Sequence, residues 1–185
     1  MAYELEKASG KHDLDFESQR NKTEHFLHAS ANQKDTKYLS FLLGDDVFGI
    51  DISAIREIIE YDNVCKVPLA PEHIRGIINL RGNVVPVIDL ANRLKSEAYT
   101  VSKRTCFVIL EVNCDEENIN IGIVVDAVNE VLDIAKRDIE PTPSFGVTVK
   151  PEFIEGMGRV DSGFIILLDL SRVLDINELA ELGFE

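Results

Sequence analysis

Long apolar runs are missing from this sequence. No stretch approaches the ~18 consecutive apolar residues that a membrane-spanning helix needs. The N-terminal segment MAYELEKASGKHDLDF holds no apolar stretch of the kind that signal peptides carry. We therefore expect neither a signal peptide nor a transmembrane helix, and a protein that works in the cytoplasm.

Basic residues are scarce relative to acidic ones. The 185 residues include 19 lysines and arginines against 33 aspartates and glutamates, which gives a net charge of −14 at pH 7. Residues 1–37 carry seven acids and six bases, so about −13 of that charge belongs to the rest of the chain. Because phosphate backbones are bound by basic faces, this balance argues against a nucleic-acid partner. It fits either protein partners or plain solubility.

Residues that could support catalysis or bind metals are also few. The three cysteines (Cys65, Cys106 and Cys114) show no CxxC spacing, and we interpret Cys106, which lies in an apolar run, as a core residue. Three of the four histidines lie in the N-terminal tail without other ligands nearby, a pattern that predicts no metal site. His73 remains, and no nucleophilic relay surrounds it. No glycine-rich phosphate loop is present, so we expect no cofactor.

What the chain does have is an internal duplication. The segment EHIRGIINLRGNVVPVIDLANRL (72–94) resembles IEGMGRVDSGFIILLDL (154–170) at one constant offset in the numbering. A second set of matches, such as Gly49 with Gly122 and Glu57 with Glu130, has a slightly smaller offset. The matches of the first set pair Ile74 with Ile154, Gly76 with Gly156, Leu80 with Val160, Asp89 with Asp169, and Leu90 with Leu170.

The repeated unit reads as strand, strand, short helix, extended segment and strand. Short strands with glycine and proline turns are typical of small barrels. We therefore predict a mainly β fold with two small barrel lobes and short helices, and the repeat alone leaves open whether the lobes exchange strands. The predicted organisation is a flexible tail (1–36) and a folded domain (37–185), whose repeats span about 37–97 and about 104–176. A C-terminal helix is predicted at about 176–183.

Helical spacing appears once in each repeat. Ile55, Ile58 and Ile59 fall on one stripe of a helix over residues 53–59, and Ser53 is a suitable N-cap residue. Residues 127–132 show the same stripe in the second repeat. We therefore predict one short helix at each of these places.

An enzyme hypothesis can be tested against the duplication. The Asp161-Ser162-Gly163 turn is reminiscent of aspartic proteases, which pair two equivalent carboxylates. The counterpart of Asp161 is Arg81, and a carboxylate paired with a guanidinium makes no proton-sharing dyad. Asp89 and Asp169 are equivalent, but each ends a strand just before a helical segment, where a carboxylate caps the helix. We prefer the capping interpretation and keep an enzyme built on Asp89 and Asp169 as the weaker alternative.

Arg81 breaks the internal symmetry. It lies in a glycine-containing loop, Asn79-Leu80-Arg81-Gly82, in an acidic part of the chain. Two interpretations are compatible: a structural arginine that pairs with a nearby carboxylate, and a contact residue for a partner.

The run IRGIINLRGNVVPVIDL, preceded by FGIDISAIREII and followed by GIVVDAVNEVL, strongly resembles the CheW family of chemotaxis coupling proteins over about residues 38–179. The resemblance implies two five-stranded SH3-like barrels and no enzymatic activity. It implies an adaptor that links transmembrane chemoreceptors to the histidine kinase CheA. The implied partners are the CheW-like regulatory domain of the kinase, bound by end-to-end lobe contacts, and the cytoplasmic tip of the receptor's helical hairpin. The protein would then lie beside membrane receptor arrays without entering the membrane.

The resemblance also suggests which residues make the contacts. The positions that match receptor-coupling positions of the family are Ile55, Glu57, Gly76 and Arg81. Second-lobe positions tied more loosely to coupling or to lobe packing are Cys106, Phe107, Gly122, Val128 and Val131. Because the family's arginine commonly pairs with the glutamate found here at position 57, we predict an ion pair between Glu57 and Arg81.

The N-terminal tail departs from the family pattern, since the family domain usually starts closer to residue 1. The sequence has no receiver, phosphotransfer or ATP-binding module, which argues against a CheV-type fusion and against the kinase itself. A coupler for another chemosensory pathway, such as pilus motility, remains the alternative within the same fold.

Overall fold

Eleven strands make up most of the described chain. The computed structural model describes residues 35–95, 101–114, 117–143, 146 and 148–175. The strands are β1 (Asp35–Leu43), β2 (Asp46–Asp51), β3 (Ile55–Glu60), β4 (Ile74–Leu80), β5 (Asn83–Asp89), β6 (Cys106–Cys114), β7 (Glu117–Val125), β8 (Ala127–Ala135), β9 (Ile139–Glu140), β10 (Ile154–Val160) and β11 (Gly163–Leu168). Two short helices, α1 (Leu90–Lys95) and α2 (Leu170–Leu174), follow β5 and β11. The predicted mainly β class with short helices is confirmed.

The strands form two sheets, and each sheet contains strands from both repeats. Sheet I has the order β3-β6-β7-β5-β4, and sheet II has the order β8-β1-β2-β11-β10-β9. The first two strands of each repeat therefore cross into the sheet that holds the last strands of the other repeat. Parallel pairing joins the repeats, with Val87 opposite Gly122 in sheet I and Leu167 opposite Gly49 in sheet II. We call sheet I with α1 lobe I, and sheet II with α2 lobe II.

Each lobe has its own apolar core. In lobe I it contains Ile78, Val85, Val87, Phe107, Ile109 and Val124. In lobe II it contains Tyr38, Ile134, Ile165 and Leu167. Because residues of both repeats meet in each core, burial of apolar area stabilises the exchanged arrangement at about 25 cal/mol per Å².

The lobes are barrel-like, but neither sheet is a closed barrel. In sheet I the segment that follows edge strand β3 reaches edge strand β4 through a bridge, in which Cys65 and Ile77 exchange backbone hydrogen bonds of 2.9 and 2.8 Å. In sheet II the chain continues from β8 through a 3-10 turn (Lys136–Asp138) into β9, which pairs with β10. Sheet I has the predicted five strands. Sheet II has six, because the two-residue strand β9, which follows β8 after the 3-10 turn, pairs with β10 at the edge of the sheet.

Both helices predicted from the isoleucine stripe are wrong. A 3-10 turn (Ile52–Ala54) is followed by β3, in which Ile58 lies opposite Val108 and Ile59 opposite Phe107. Ser53 is not the capping residue, since its own N–H donates to the Asp51 carboxylate at 2.8 Å. Residues 127–132 likewise belong to strand β8, which pairs with β1. A short stripe of β-branched residues is compatible with both the helical and the strand periodicity. Pairing with a neighbouring strand is what stabilises the strand here.

The ends of the predicted organisation are only partly within the described residues. Strand β1 begins at Asp35, so residues 35 and 36 belong to sheet II and not to the predicted tail. The rest of the tail and the predicted helix at 176–183 lie outside the described residues. Within the described ranges no helix is long and apolar enough to cross a bilayer.

Candidate partner-binding surface

Arg81 lies in the two-residue turn between β4 and β5. Leu80 pairs with Asn83 at the end of the ladder, and both Arg81 (φ 52°) and Gly82 (φ 90°) have positive φ. The Asn79 side chain accepts a hydrogen bond from the Gly82 N–H at 2.9 Å. Positive φ at both residues suits the twist of a tight hairpin, but for an arginine it costs about 1 kcal/mol. In the counterpart turn, Asp161 and Ser162 do not have positive φ. Of the two equivalent turns, only the one in lobe I therefore holds a non-glycine residue in a strained backbone conformation.

The predicted ion pair between Arg81 and Glu57 is present. The guanidinium donates two hydrogen bonds to the carboxylate, from Nη1 to Oε1 at 2.9 Å and from Nη2 to Oε2 at 2.7 Å. Glu57 lies on β3 and Arg81 follows β4, so the pair joins the two edges of sheet I. The Arg81 side chain is 73% exposed and that of Glu57 only 15%. Glu57 thus holds the arginine in a fixed orientation while most of the guanidinium faces solvent.

The other two first-lobe candidates act through packing. Ile55 is buried and lies opposite Leu110 of β6. Gly76 is buried at a bulge of β4 with φ 144°, where the chain from β3 passes over it. A Cβ on residue 76 would overlap the carbonyl oxygen of Cys65 and lie 2.8 Å from Val64 Cγ1. Gly76 therefore permits the contact that links the edges of sheet I.

Three of the five second-lobe candidates do not lie in lobe II. Cys106 and Phe107 are on β6 and Gly122 is on β7, so strand exchange places them in sheet I together with Glu57. Phe107 is buried and stacks on Tyr61 with ring centroids 4.9 Å apart. The remaining two are in β8 of lobe II, where Val128 is buried and Val131 half-buried. The assignment of Cys106, Phe107 and Gly122 to the second lobe is wrong, because the first two strands of each repeat lie in the sheet of the other repeat.

The burial of Cys106 leads to a chemical prediction. Desolvation raises the pKa of its thiol from 9.0 to about 12, whereas Cys65 is exposed. Only the thiolate reacts with iodoacetamide, so native Cys106 should react at least roughly a hundredfold more slowly than Cys65. Peptide mass spectrometry after timed labelling at pH 8 measures both sites, and labelling in denaturant is the control. Equal rates in the native protein would contradict the burial.

Asp89 and Asp169 cap helices. Asp169 accepts hydrogen bonds from the N–H groups of Ser171 (3.1 Å) and Arg172 (3.4 Å), and Asp89 accepts one from the Asn92 N–H at 3.0 Å. Burial raises the pKa of Asp89, against the lowering effects of its backbone hydrogen bonds and of Arg75 at 3.9 Å. The predicted capping role is confirmed for both, and each carboxylate is engaged in holding its own helix.

Two exposed apolar residues were missed by sequence reasoning. Val84 on β5 and Phe164 on β11 are 62% and 53% exposed, and they occupy equivalent positions of the two repeats. Each lies at the start of the strand that follows its hairpin turn, so the ends of the two lobes present matching apolar side chains. Their equivalence was readable in the duplication, but both lie at the start of apolar runs that predict buried strands.

Comparison with known proteins places these features in a family. The CheW-like domain family model matches residues 37–178. The chain is 35% identical to the chemotaxis protein CheW of Klebsiella aerogenes over 78% of this chain and 84% of that protein. It is 29% identical to the chemotaxis protein CheW of Treponema pallidum over 83% and 91% of the two chains.

A solved structure of a CheW protein has a similar fold. The scaffolding protein TtCheW from Thermoanaerobacter tengcongensis matches with a TM-score of 0.69 at 34% identity, over 82% of this chain and 95% of that one. The chain therefore belongs to the CheW-like family, and it is a chemotaxis adaptor without enzymatic activity of its own.

Proposed function

We propose that this adaptor couples transmembrane chemoreceptors to a CheA-type histidine kinase, in the cytoplasm beside receptor arrays. The observation that carries the proposal is the Glu57–Arg81 pair, which presents an oriented and largely exposed guanidinium on an otherwise acidic protein. A strained backbone at an exposed charged residue is a common sign of a functional constraint. We assign this surface to the tip of the receptor's helical hairpin.

The kinase contact is assigned to the lobe ends. Val84 and Phe164 stand near the tips of equivalent hairpins, where exposed apolar side chains suit end-to-end packing on the barrels of a CheW-like regulatory domain. Arg81 and Val84 lie on the same hairpin, so the proposed receptor contact adjoins the kinase contact of lobe I, whereas the kinase contact at Phe164 lies in lobe II. A signal passes if the contacts differ between receptor states, since a ligand shifts an equilibrium only by its differential affinity.

Pull-down assays test this function. Immobilised wild-type chain is offered a CheA regulatory domain, a soluble receptor hairpin, and both together. The proposal expects each to bind singly and both to bind at once. Absence of binding to either protein at micromolar concentration would overturn it.

Phe164→Asp is expected to weaken binding to the kinase regulatory domain by about tenfold or more, because buried aromatic residues dominate interface energies. Val84→Asp should have a smaller effect in the same direction. Calorimetric titration measures both affinities. Val101→Asp, which alters another exposed valine outside the two hairpins, is the matched control. Unchanged affinity for both hairpin variants would show that the lobe ends are not the kinase contact.

A further inference from the structure

The last helix of each repeat meets its counterpart at the junction of the two lobes. Helix α1 continues from β5 of sheet I, and α2 follows β11 of sheet II. Residues 93 and 173 are equivalent in the internal repeat, and the Arg93 Nε donates a hydrogen bond of 3.0 Å to the carbonyl oxygen of Val173. Contact between equivalent residues places Arg93 at the axis that relates the two lobes.

Three further contacts of Arg93 follow the same pattern. Its Nη1 lies 3.5 Å from Nε2 of His73 in the segment that leads into β4, and its guanidinium lies 5.4 Å from the ring centroid of Phe153, the residue equivalent to His73. Its Nη2 lies 3.9 Å from the carboxylate of Asp175, just after α2. The side chain is only 16% exposed. One partly buried guanidinium therefore contacts both copies of a duplicated position.

A second cation of α1 also reaches lobe II. The Lys95 Nζ donates to the Asp46 carboxylate at 2.6 Å and to the Leu43 carbonyl at 3.5 Å, and it lies 5.6 Å from the ring centroid of Phe48. All three partners belong to β1 and β2 of sheet II. Helix α2 does not reciprocate at the equivalent positions, which are Val173 and Asp175. These polar contacts across the junction therefore come from the cations of α1.

We infer that Arg93, supported by Lys95, is a positioning residue that sets the orientation of lobe I relative to lobe II, and that receptor control of the kinase depends on this orientation. The second half rests on the proposed function, because the receptor contact at Arg81 lies on lobe I and the kinase contact at Phe164 lies on lobe II, so the junction connects them. The hydrogen bond from the planar guanidinium to the Val173 carbonyl is directional, so it restricts rotation as well as separation, and the ion pair with Asp175 at 3.9 Å adds attraction between the lobes.

Distance measurement tests the orientation without any partner. Nitroxide labels are placed at Asn83→Cys and Ser162→Cys, one in each lobe, in a background carrying Cys65→Ser and Cys114→Ser. We expect a narrow distribution of the distance between the two labels in the protein that retains Arg93. The distribution should be broader in the Arg93→Ala variant, and intermediate in the Arg93→Lys and Asp175→Asn variants. Arg172→Ala is the matched control, because Arg172 is exposed and pairs with Asp169 of its own lobe at 3.2 Å. A distribution for Arg93→Ala identical to wild type would overturn the inference.

Reconstituted kinase assays test the consequence. Arg93→Ala should bind the regulatory domain and the receptor hairpin, each alone, as tightly as wild type, yet reduce receptor-dependent kinase activation about tenfold, a common size for coupling between sites. If Arg93→Ala supports wild-type kinase activation although its distance distribution is broadened, receptor control of the kinase does not depend on the orientation of the lobes. If the wild-type chain itself supports no activation, the proposed function fails, while the distance measurement still decides the role of Arg93.

Discussion

Arg81→Glu is expected to abolish the ternary complex with receptor hairpin and kinase while leaving the fold intact. The substitution replaces the exposed cation with an anion and sets two carboxylates against each other, because Glu57 lies within hydrogen-bond distance of the present guanidinium. An exposed ion pair contributes about 1 kcal/mol or less to stability, so the free energy of unfolding should fall only slightly. Pull-down of both partners and a thermal melt measure the two effects.

The matched control for this substitution is Arg56→Glu. Arg56 is half-exposed on the neighbouring strand position and pairs with Glu111 at 3.4 Å, so it undergoes the same charge change outside the proposed contact. The double variant Glu57→Arg with Arg81→Glu restores an ion pair with its polarity reversed. Recovery of the complex would mean that the pair's geometry matters, and continued loss would mean that the partner needs a cation at position 81. Full receptor-dependent kinase activity in Arg81→Glu would refute the proposed contact.

Gly76→Ala is expected to destabilise the protein by about 3 kcal/mol or more, which for a chain of this size lowers Tm by roughly 10 °C. Two causes add. The backbone at residue 76 has φ 144°, where an L side chain is strained, and the new Cβ would overlap the Cys65 carbonyl. Since Cys65 and Ile77 form the bridge between the edges of sheet I, relief of the overlap requires that bridge to open. Differential scanning calorimetry measures the loss.

Gly122→Ala serves as the comparison. At residue 122 a Cβ would meet Val87 Cγ2 at 3.4 Å, an ordinary contact, and no positive φ has to be maintained. We expect a change within about 1 kcal/mol. Equal destabilisation by the two substitutions would show that Gly76 has no special role. Loss of receptor binding by Gly76→Ala would follow from a disturbed bridge between Cys65 and Ile77, since Gly76 itself is buried.

The candidate surface was partly predictable from the sequence because its signals are local. The Asn79–Gly82 turn breaks the internal repeat at Arg81, and the family resemblance supplied Glu57, in the preceding strand β3, as its partner. Val84 and Phe164 were not predicted, because an apolar residue at the start of an apolar strand gives no local sign of exposure. Arg93 was missed for a similar reason: on a short helix, a cation is expected to face solvent.

The errors in secondary structure have the same origin. Ile55, Ile58 and Ile59 match a helical stripe over one turn, but β3 lies beside β6, a strand of the other repeat. Pairing with Val108 and Phe107 satisfies the backbone groups on one side of this edge strand, and Ile55 and Ile58 are buried while Ile59 is partly buried. Local spacing carries no information about such a distant partner.

By itself, the sequence determined that the folded chain consists of two related mainly β units, that Asp89 and Asp169 cap helices, and that Arg81 differs between the units. These conclusions depend on repetition, turn chemistry and capping, and the last two act over a few residues. Only the tertiary structure decided that the units exchange their first two strands, which residues share a lobe, and where Arg93 lies. Strand exchange conserves every local pattern and changes only long-range pairing, so the packing of the two cores selects it.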